Sequence, residues 1–353
     1  MSSFESKIHP SVTKRTPIVG GNWKCNPSSI KDLPKLVANI NACDTSKCEV
    51  YVCPSSIHLG ILKDSFTNGT KIASQNCNFT GTGAYTGEMA VEQMMDMGIE
   101  WVLLGHSERR GEFGINHMES NQLLAKKLTY LLSKGLKCTF CIGEPLSVRE
   151  QGKEAVVTYC SKQLEDIKHL LNPSKVVIAY EPVWSIGTGV TATPEQAQET
   201  HAGIRNWIAE NVSQEVADGI RIQYGGSANS ANVPALSKCP DIDGFLVGGA
   251  SMKPEFIDIV ATLSVAKDVN DTLDVVENDQ TTWPPSQEVI DEIGIKSLTF
   301  TDYGHKFTVL IYWSNPELWI FNPVHYARTQ YVQKEYTCKN SGRKVVVIIG
   351  KED

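Results

Sequence analysis

The sequence predicts an α/β chain that closes into a (β/α)8 barrel and carries a small, β-rich C-terminal extension. Three observations carry that prediction. Eight short apolar runs alternate with longer amphipathic stretches between residues 17 and 266. Polar residues or glycines stand where successive runs end, as at the carboxyl ends of barrel strands. Beyond residue 266 the pattern changes to aromatic-rich strand signals. At 353 residues the chain holds one barrel of about 250 residues and a smaller second domain.

In order, the strand candidates are PIVGGNW (17–23), CEVYVC (48–53), KIASQNC (71–77) and EWVLLG (100–105). LKCTFCIG (136–143), VVIAYE (176–181), IRIQYGG (220–226) and DGFLVGG (243–249) complete the eight. Helical periodicity is clearest over 119–134, 153–171, 194–211 and 254–266. The third of these opens with Thr193 as N-cap, Pro194 in the first turn and Gln196 as capping-box partner. Strict strand–helix alternation indicates a parallel sheet. The alternative, a doubly wound open sheet, usually has fewer strands, and no G-x-G-x-x-G follows the first strand here.

Composition narrows the function classes. Hydrophobic residues make up 41%, enough for a sizeable core. A formal net charge of −7 recommends neither nucleic acid nor an anionic membrane as partner. No apolar run reaches the ~18 residues of a membrane span. Residues 1–16 lack an apolar core and read as a short tail rather than a secretory signal. The ten cysteines are scattered in a manner that fits reduced thiols and a cytoplasmic location. An organellar location is the alternative if the tail is a targeting peptide. Cys138 and Cys141 form a C-x-x-C inside a predicted strand, where a spacing of three sends the side chains to opposite faces. That argues against a metal or redox pair.

The chemistry-bearing residues collect at the strand exits: Asn22 and Lys24, Gln75 and Asn76, His106 and Glu108, Glu181, Ser227, then Gly248 and Gly249. The stretch YEPVWSIGTG (180–189) organises them. Glu181 stands at a strand end, Pro182 stops further pairing, and Val183 and Trp184 supply an apolar flap closed off by Gly187 and Gly189. A carboxylate under such a flap suits a general base shielded from water. Glycine pairs after the seventh and eighth strands suit a phosphate, which needs backbone N–H groups and little side-chain crowding. The polar excursion at 74–88 would be odd as an idle loop left in solvent.

Taken together, GGNWKCN (20–26), SQNCNFTGTGAYTGE (74–88), LLGHSERR (103–110), YEPVWSIGTG, YGGSANSAN (224–232) and GFLVGGASMKPEF (244–256) resemble the triosephosphate isomerase family. The resemblance spans about 17–266, and it implies a TIM barrel, a homodimer joined through 74–88 and no cofactor or metal. It implies interconversion of dihydroxyacetone phosphate and glyceraldehyde 3-phosphate through an enediolate, in glycolysis and gluconeogenesis. Glu181 is then the base, His106 a neutral hydrogen-bond donor and Lys24 the electrostatic partner, for which that family is itself the known precedent. Asn22, Gly187, Ser227, Gly248 and Gly249 would bind substrate. Glu108 would sit beside Lys24, Trp184 would close the flap, and Thr86 would reach the partner subunit's site. Arg109 and Arg110 read as structural ion-pair partners. Pro27 departs from the small residue common there, and 78–81, read as the tip of the long loop, departs from common family sequences.

After residue 266 the resemblance stops. Asp268, Asp271, Asp274, Glu277 and Asp279 mark an acidic linker over 267–285. From 286 to 353 a short helix (287–293), SLTFTD, KFTVLIYW, LWIF and a hairpin turning at KNSG suggest a β-rich module, with no recognisable site and an unknown partner. Two other functions are compatible with these features. One is a different phospho-sugar enzyme on the same barrel; the other is a binding protein that acts through its C-terminal module.

Overall fold

The computed structural model describes residues 15–111, 118–186 and 191–265, and the strands at 297–302, 305–313, 331–337 and 344–352. The chain divides into two compact units, Met1–Ala266 and Lys267–Asp353.

In the first unit eight strands form a closed barrel in sequence order: β1 (Ile18–Asn22), β2 (Glu49–Cys53), β3 (Lys71–Ser74), β4 (Trp101–Leu104), β5 (Lys137–Ile142), β6 (Val176–Tyr180), β7 (Arg221–Tyr224) and β8 (Gly244–Val247). Every neighbouring pair is parallel, and β1 closes on β8 with Ile18 opposite Gly244. Alternation sorts the strand residues into two cores. Tyr51, Trp101, Leu103, Val177, Ala179 and Leu246 fill the barrel. Val50, Val102, Phe140, Ile178, Ile222 and Phe245 face the surrounding helices. Cys141 belongs to the inner set and Cys138 to the outer, so the two thiols do part as the strand period requires. Among the described residues no cluster could hold a metal ion, and no helix is long and apolar enough to cross a membrane.

The barrel interior is not wholly apolar. Trp101 Nε1 donates to Thr139 Oγ1, Thr139 to Tyr51 Oη, and Tyr51 to Gln223 Oε1, at 2.8–2.9 Å. Gln223 in turn donates to the carbonyls of Phe245 and Ile18. Each buried polar group is thereby paired, which offsets its desolvation. Tyr51 stacks on Trp101 with ring centroids 5.1 Å apart. Gly20 makes room for that ring, because a Cβ there would lie 2.3 Å from Tyr51.

The helix Pro194–Asn211 starts with the expected capping box of Thr193 and Gln196. The helix expected to run to 171 stops at Glu165, and a 3-10 turn over Lys168–Leu170 follows. Of the expected tail of residues 1–16 only Arg15 and Thr16 are among the described residues, and Arg15 is anchored to the barrel. It is buried against the amino end of β8, with Nε 2.6 Å from Asp243 Oδ1 and further bonds to the Asp218 and Pro240 carbonyls. Arg205 holds the other oxygen of Asp243 at 2.8 Å, so one buried carboxylate joins two cations.

The second unit contains a four-stranded antiparallel sheet of β9 (Ser297–Asp302), β10 (His305–Trp313), β11 (Tyr331–Thr337) and β12 (Lys344–Glu352), in the order β11-β12-β10-β9. Strands β11 and β12 flank the KNSG segment. The acidic linker, the expected helix at 287–293 and LWIF lie outside the described residues.

Candidate active site

Most of the side chains singled out by sequence converge at the carboxyl end of the barrel. Glu181 follows β6 and is buried, at 2% exposure. Its Oε2 accepts the Ser107 backbone N–H at 3.1 Å, and its Oε1 lies 3.1 Å from His106 Nε2. His106, also buried, caps the 3-10 turn Ser107–Arg109. The Glu108 N–H donates to His106 Nδ1 at 3.2 Å. A nitrogen that accepts a backbone N–H carries no proton, so the ring proton sits on Nε2 and points at Glu181. The Glu108 carboxylate also approaches Nδ1, but at 3.5 Å it is outside hydrogen-bond geometry and the amide decides the tautomer.

Lys24 leaves β1 with φ of 54°, a left-handed conformation unusual for a residue with a Cβ. Three groups hold it there. Its N–H donates to Asn22 Oδ1 at 3.0 Å, its carbonyl accepts Gln75 Nε2 at 2.7 Å, and its Nζ meets Glu108 Oε1 at 2.7 Å. Gln75 also donates to the Cys53 carbonyl, tying the exits of β1 and β2 together. The Lys24 stem passes beside Gly248, whose added Cβ would stand 4.0 Å from Lys24 Cε. A Cβ on Gly249 would meet nothing within 4 Å, leaving open space at the end of β8.

The root of the flap is wired to the barrel on both sides. Trp184 Nε1 donates to Glu144 Oε1 at 2.8 Å, as does the Tyr180 hydroxyl at 3.0 Å. Burial raises the Glu144 carboxyl above its ordinary value, against the opposing pull of those hydrogen bonds. Arg149 lies over the Trp184 ring, 5.7 Å from its centroid. Ser227, itself left-handed at φ of 42°, donates its hydroxyl to the Ser185 carbonyl at 2.6 Å. Gly187, expected to add an amide on closure, lies outside the described residues.

Other expectations met a mixed outcome. Arg109 pairs with Glu119 at 2.6 Å. Among the described residues Arg110 has no such pair; it donates to the Gly105 and Cys141 carbonyls and to Asn121. The stretch 78–81, read as the tip of the long loop, is anchored at both ends. Asn78 is buried and exchanges two hydrogen bonds with Gly81 across a tight turn; Phe79 and Thr80 between them are exposed, and the longer exposed run of the arm is 82–88. Thr86 lies on that exposed part. Sequence reasoning missed the Ser107 amide, Glu144 and Tyr180, because backbone donors and strand-end polar groups declare themselves only once the strands are neighbours.

A buried carboxylate facing an imidazole N–H, with a lysine alongside and open glycine backbone opposite, defines a barrel enzyme of the proton-transfer class. The site suits a small substrate with a carbonyl and an anionic group. The comparisons give the class its family. The family profile described as "Triosephosphate isomerase" matches residues 17–263. The chain is 47% identical over 251 residues to "Triosephosphate isomerase, cytosolic" of Oryza sativa subsp. japonica, covering 70% of this chain and 96% of that protein. It is 47% identical over 252 residues to "Triosephosphate isomerase, chloroplastic" of Secale cereale, covering 70% of this chain and 82% of that protein. The chain belongs to the triosephosphate isomerase family, which acts on triose phosphates, is generally dimeric and serves glycolysis.

Proposed function

We propose that Glu181, His106 and Lys24 carry the isomerisation, with Glu181 moving a proton between the two carbons next to the substrate oxygens. The observation that carries this reading is the facing pair of Glu181 and the His106 Nε2–H at 3.1 Å. The imidazole N–H cannot serve the carboxylate and a substrate carbonyl together. Substrate entry therefore separates the pair: the N–H turns to the carbonyl oxygen, and the freed carboxylate takes the adjacent proton. An enediolate results, and Glu181 returns the proton to the neighbouring carbon while His106 serves both oxygens. Lys24, free to exchange Glu108 for substrate, steadies the growing negative charge. Asn22, Ser227, Gly248, Gly249 and Gly187 receive the phosphate. Trp184 and its neighbours close over the site and exclude water. This scheme draws on no metal or cofactor.

The assembly in this reading is a homodimer through 74–88, with Thr86 bracing the other subunit's site. Exposure of Tyr85 at 45% on this arm supports it, since a large ring is costly to leave in water. The cytosol is the proposed location, supported by the free thiols among the described cysteines. Relatives include both a cytosolic and a chloroplastic enzyme. The C-terminal unit is proposed to be separate from this chemistry.

The test is a coupled isomerase assay on wild type and Glu181→Asp. Removing one methylene retracts the carboxylate by roughly 1.5 Å, and a misplacement of about 1 Å costs on the order of 100-fold in rate. A fall of that size or more in kcat with KM within about threefold is expected. A near-normal kcat would remove Glu181 from the role of base.

A further inference from the structure

The peptide on which Glu181 rests is held from outside the barrel. Parallel pairing of β5 with β6 ends at Ile142 opposite Tyr180. Beyond it, the Glu181 N–H donates to the Ile142 carbonyl at 2.7 Å and the Val183 N–H to the Glu144 carbonyl at 3.1 Å. Residues 142–144 thus form the seat of 181–183, the catalytic carboxylate and the root of the flap. Gly143 lies between the two contacts, and contact is so close that a Cβ there would stand 1.7 Å from the Glu181 carbonyl oxygen. Having no side chain, Gly143 can be fixed only through its N–H and C=O. Gln163, on the helix Lys153–Glu165 and 6% exposed, takes both. The Gly143 N–H donates to Gln163 Oε1 at 2.8 Å, and Gln163 Nε2 donates to the Gly143 carbonyl at 3.1 Å.

We infer that Gln163 is a positioning residue for Glu181, acting through the Gly143 peptide. The inference rests on the reading of Glu181 as base. A primary amide is the side chain that matches a peptide in both donor and acceptor, so it fixes the rotation of 142–144 as well as their position. Rotation of that peptide would carry the Ile142 and Glu144 carbonyls with it. The Glu181 backbone would follow, and a shift near 1 Å is worth roughly 100-fold in rate.

Gln163→Met keeps the volume and removes both hydrogen bonds, whereas Gln163→Glu keeps an acceptor for the Gly143 N–H. The expected order of kcat is wild type, then Glu, then Met, with Met down about 10-fold or more and KM within about twofold. Hydrogen exchange at the Gly143 amide should quicken in the same order. A Met variant with a lowered melting temperature but unchanged kcat would make Gln163 merely structural and overturn the inference. So would a loss confined to KM. If the Met variant fails to fold, the Glu variant decides, since unchanged kcat there beside quickened exchange is equally fatal. Glu181→Asp is run alongside. Loss of kcat in that variant with none in the Gln163 variants overturns this inference alone, and retention of kcat in Glu181→Asp overturns the reading beneath it.

Discussion

Acid should unfold this protein partly through one buried histidine. His201 is fully buried, with Nδ1 3.2 Å from the Asp241 carbonyl and its ring edge-on to Tyr180 at 5.6 Å. Burial pulls its pKa from 6.5 down to about 4, against the opposing Asp241 carbonyl and the Asp241 and Asp243 carboxylates. Between those values the unfolded chain binds a proton that the folded chain does not. Stability therefore falls as pH drops from 6.5 toward 4, and the whole contribution is present above 6.5. The interval is 6.5 − 4, or roughly 2.5 pH units at about 1.4 kcal/mol each, so on the order of 3 kcal/mol is at stake. Urea unfolding at fixed protein concentration, from pH 7 to pH 4, measures it. His201→Gln keeps a donor for Asp241 without titrating and should flatten that slope. Carboxylates such as Glu119, where bonds from Arg109 and Lys127 outweigh burial and lower the pKa, contribute equally to both proteins. Identical slopes in wild type and His201→Gln would refute the reasoning.

Ser227→Ala removes the 2.6 Å bond to the Ser185 carbonyl. A hydrogen bond of this kind is worth about 1 kcal/mol, so kcat/KM should change by roughly fivefold, as read in the isomerase assay. Arg15→Ala leaves Asp243 with one cation fewer in a buried setting and should lower stability by about 3 kcal/mol, with kcat unchanged in the folded protein. Chemical denaturation beside the assay separates the two effects. Ending the chain after Ala266 should leave kcat/KM within about threefold, because every proposed site residue precedes that point. A folded truncation that lost tenfold would show that the C-terminal unit contributes to catalysis.

The barrel was legible because its strands are buried on both faces and so read as continuous apolar runs, eight in number. Lys24, His106 and Glu181 drew attention through the motifs around them at strand exits, since each alone would read as a solvated or structural side chain. Arg15 was not, since a basic residue in a polar tail looks solvated until Asp243 arrives from 228 residues away. Gln163 gave no signal for a similar reason: a lone amide on a helix carries no period, and its partner is a backbone. The buried ends of the turn at Asn78 and Gly81 gave no signal, because Asn78 is held by the bond from its N–H to the Met89 carbonyl, eleven residues on.

The strand order of the second unit bears on how the chain is made. Both β10 and β11 run antiparallel to β12, and β12, last of the four in sequence, lies between them. As the polypeptide leaves the ribosome, β9 and β10 pair at once, but β11 has no neighbour until β12 emerges. A premature stop codon ahead of residue 344 would then not trim an edge. It would leave a two-stranded hairpin and an orphan, and an isolated hairpin is marginal in water. Completion of this sheet therefore waits on the nine residues of β12.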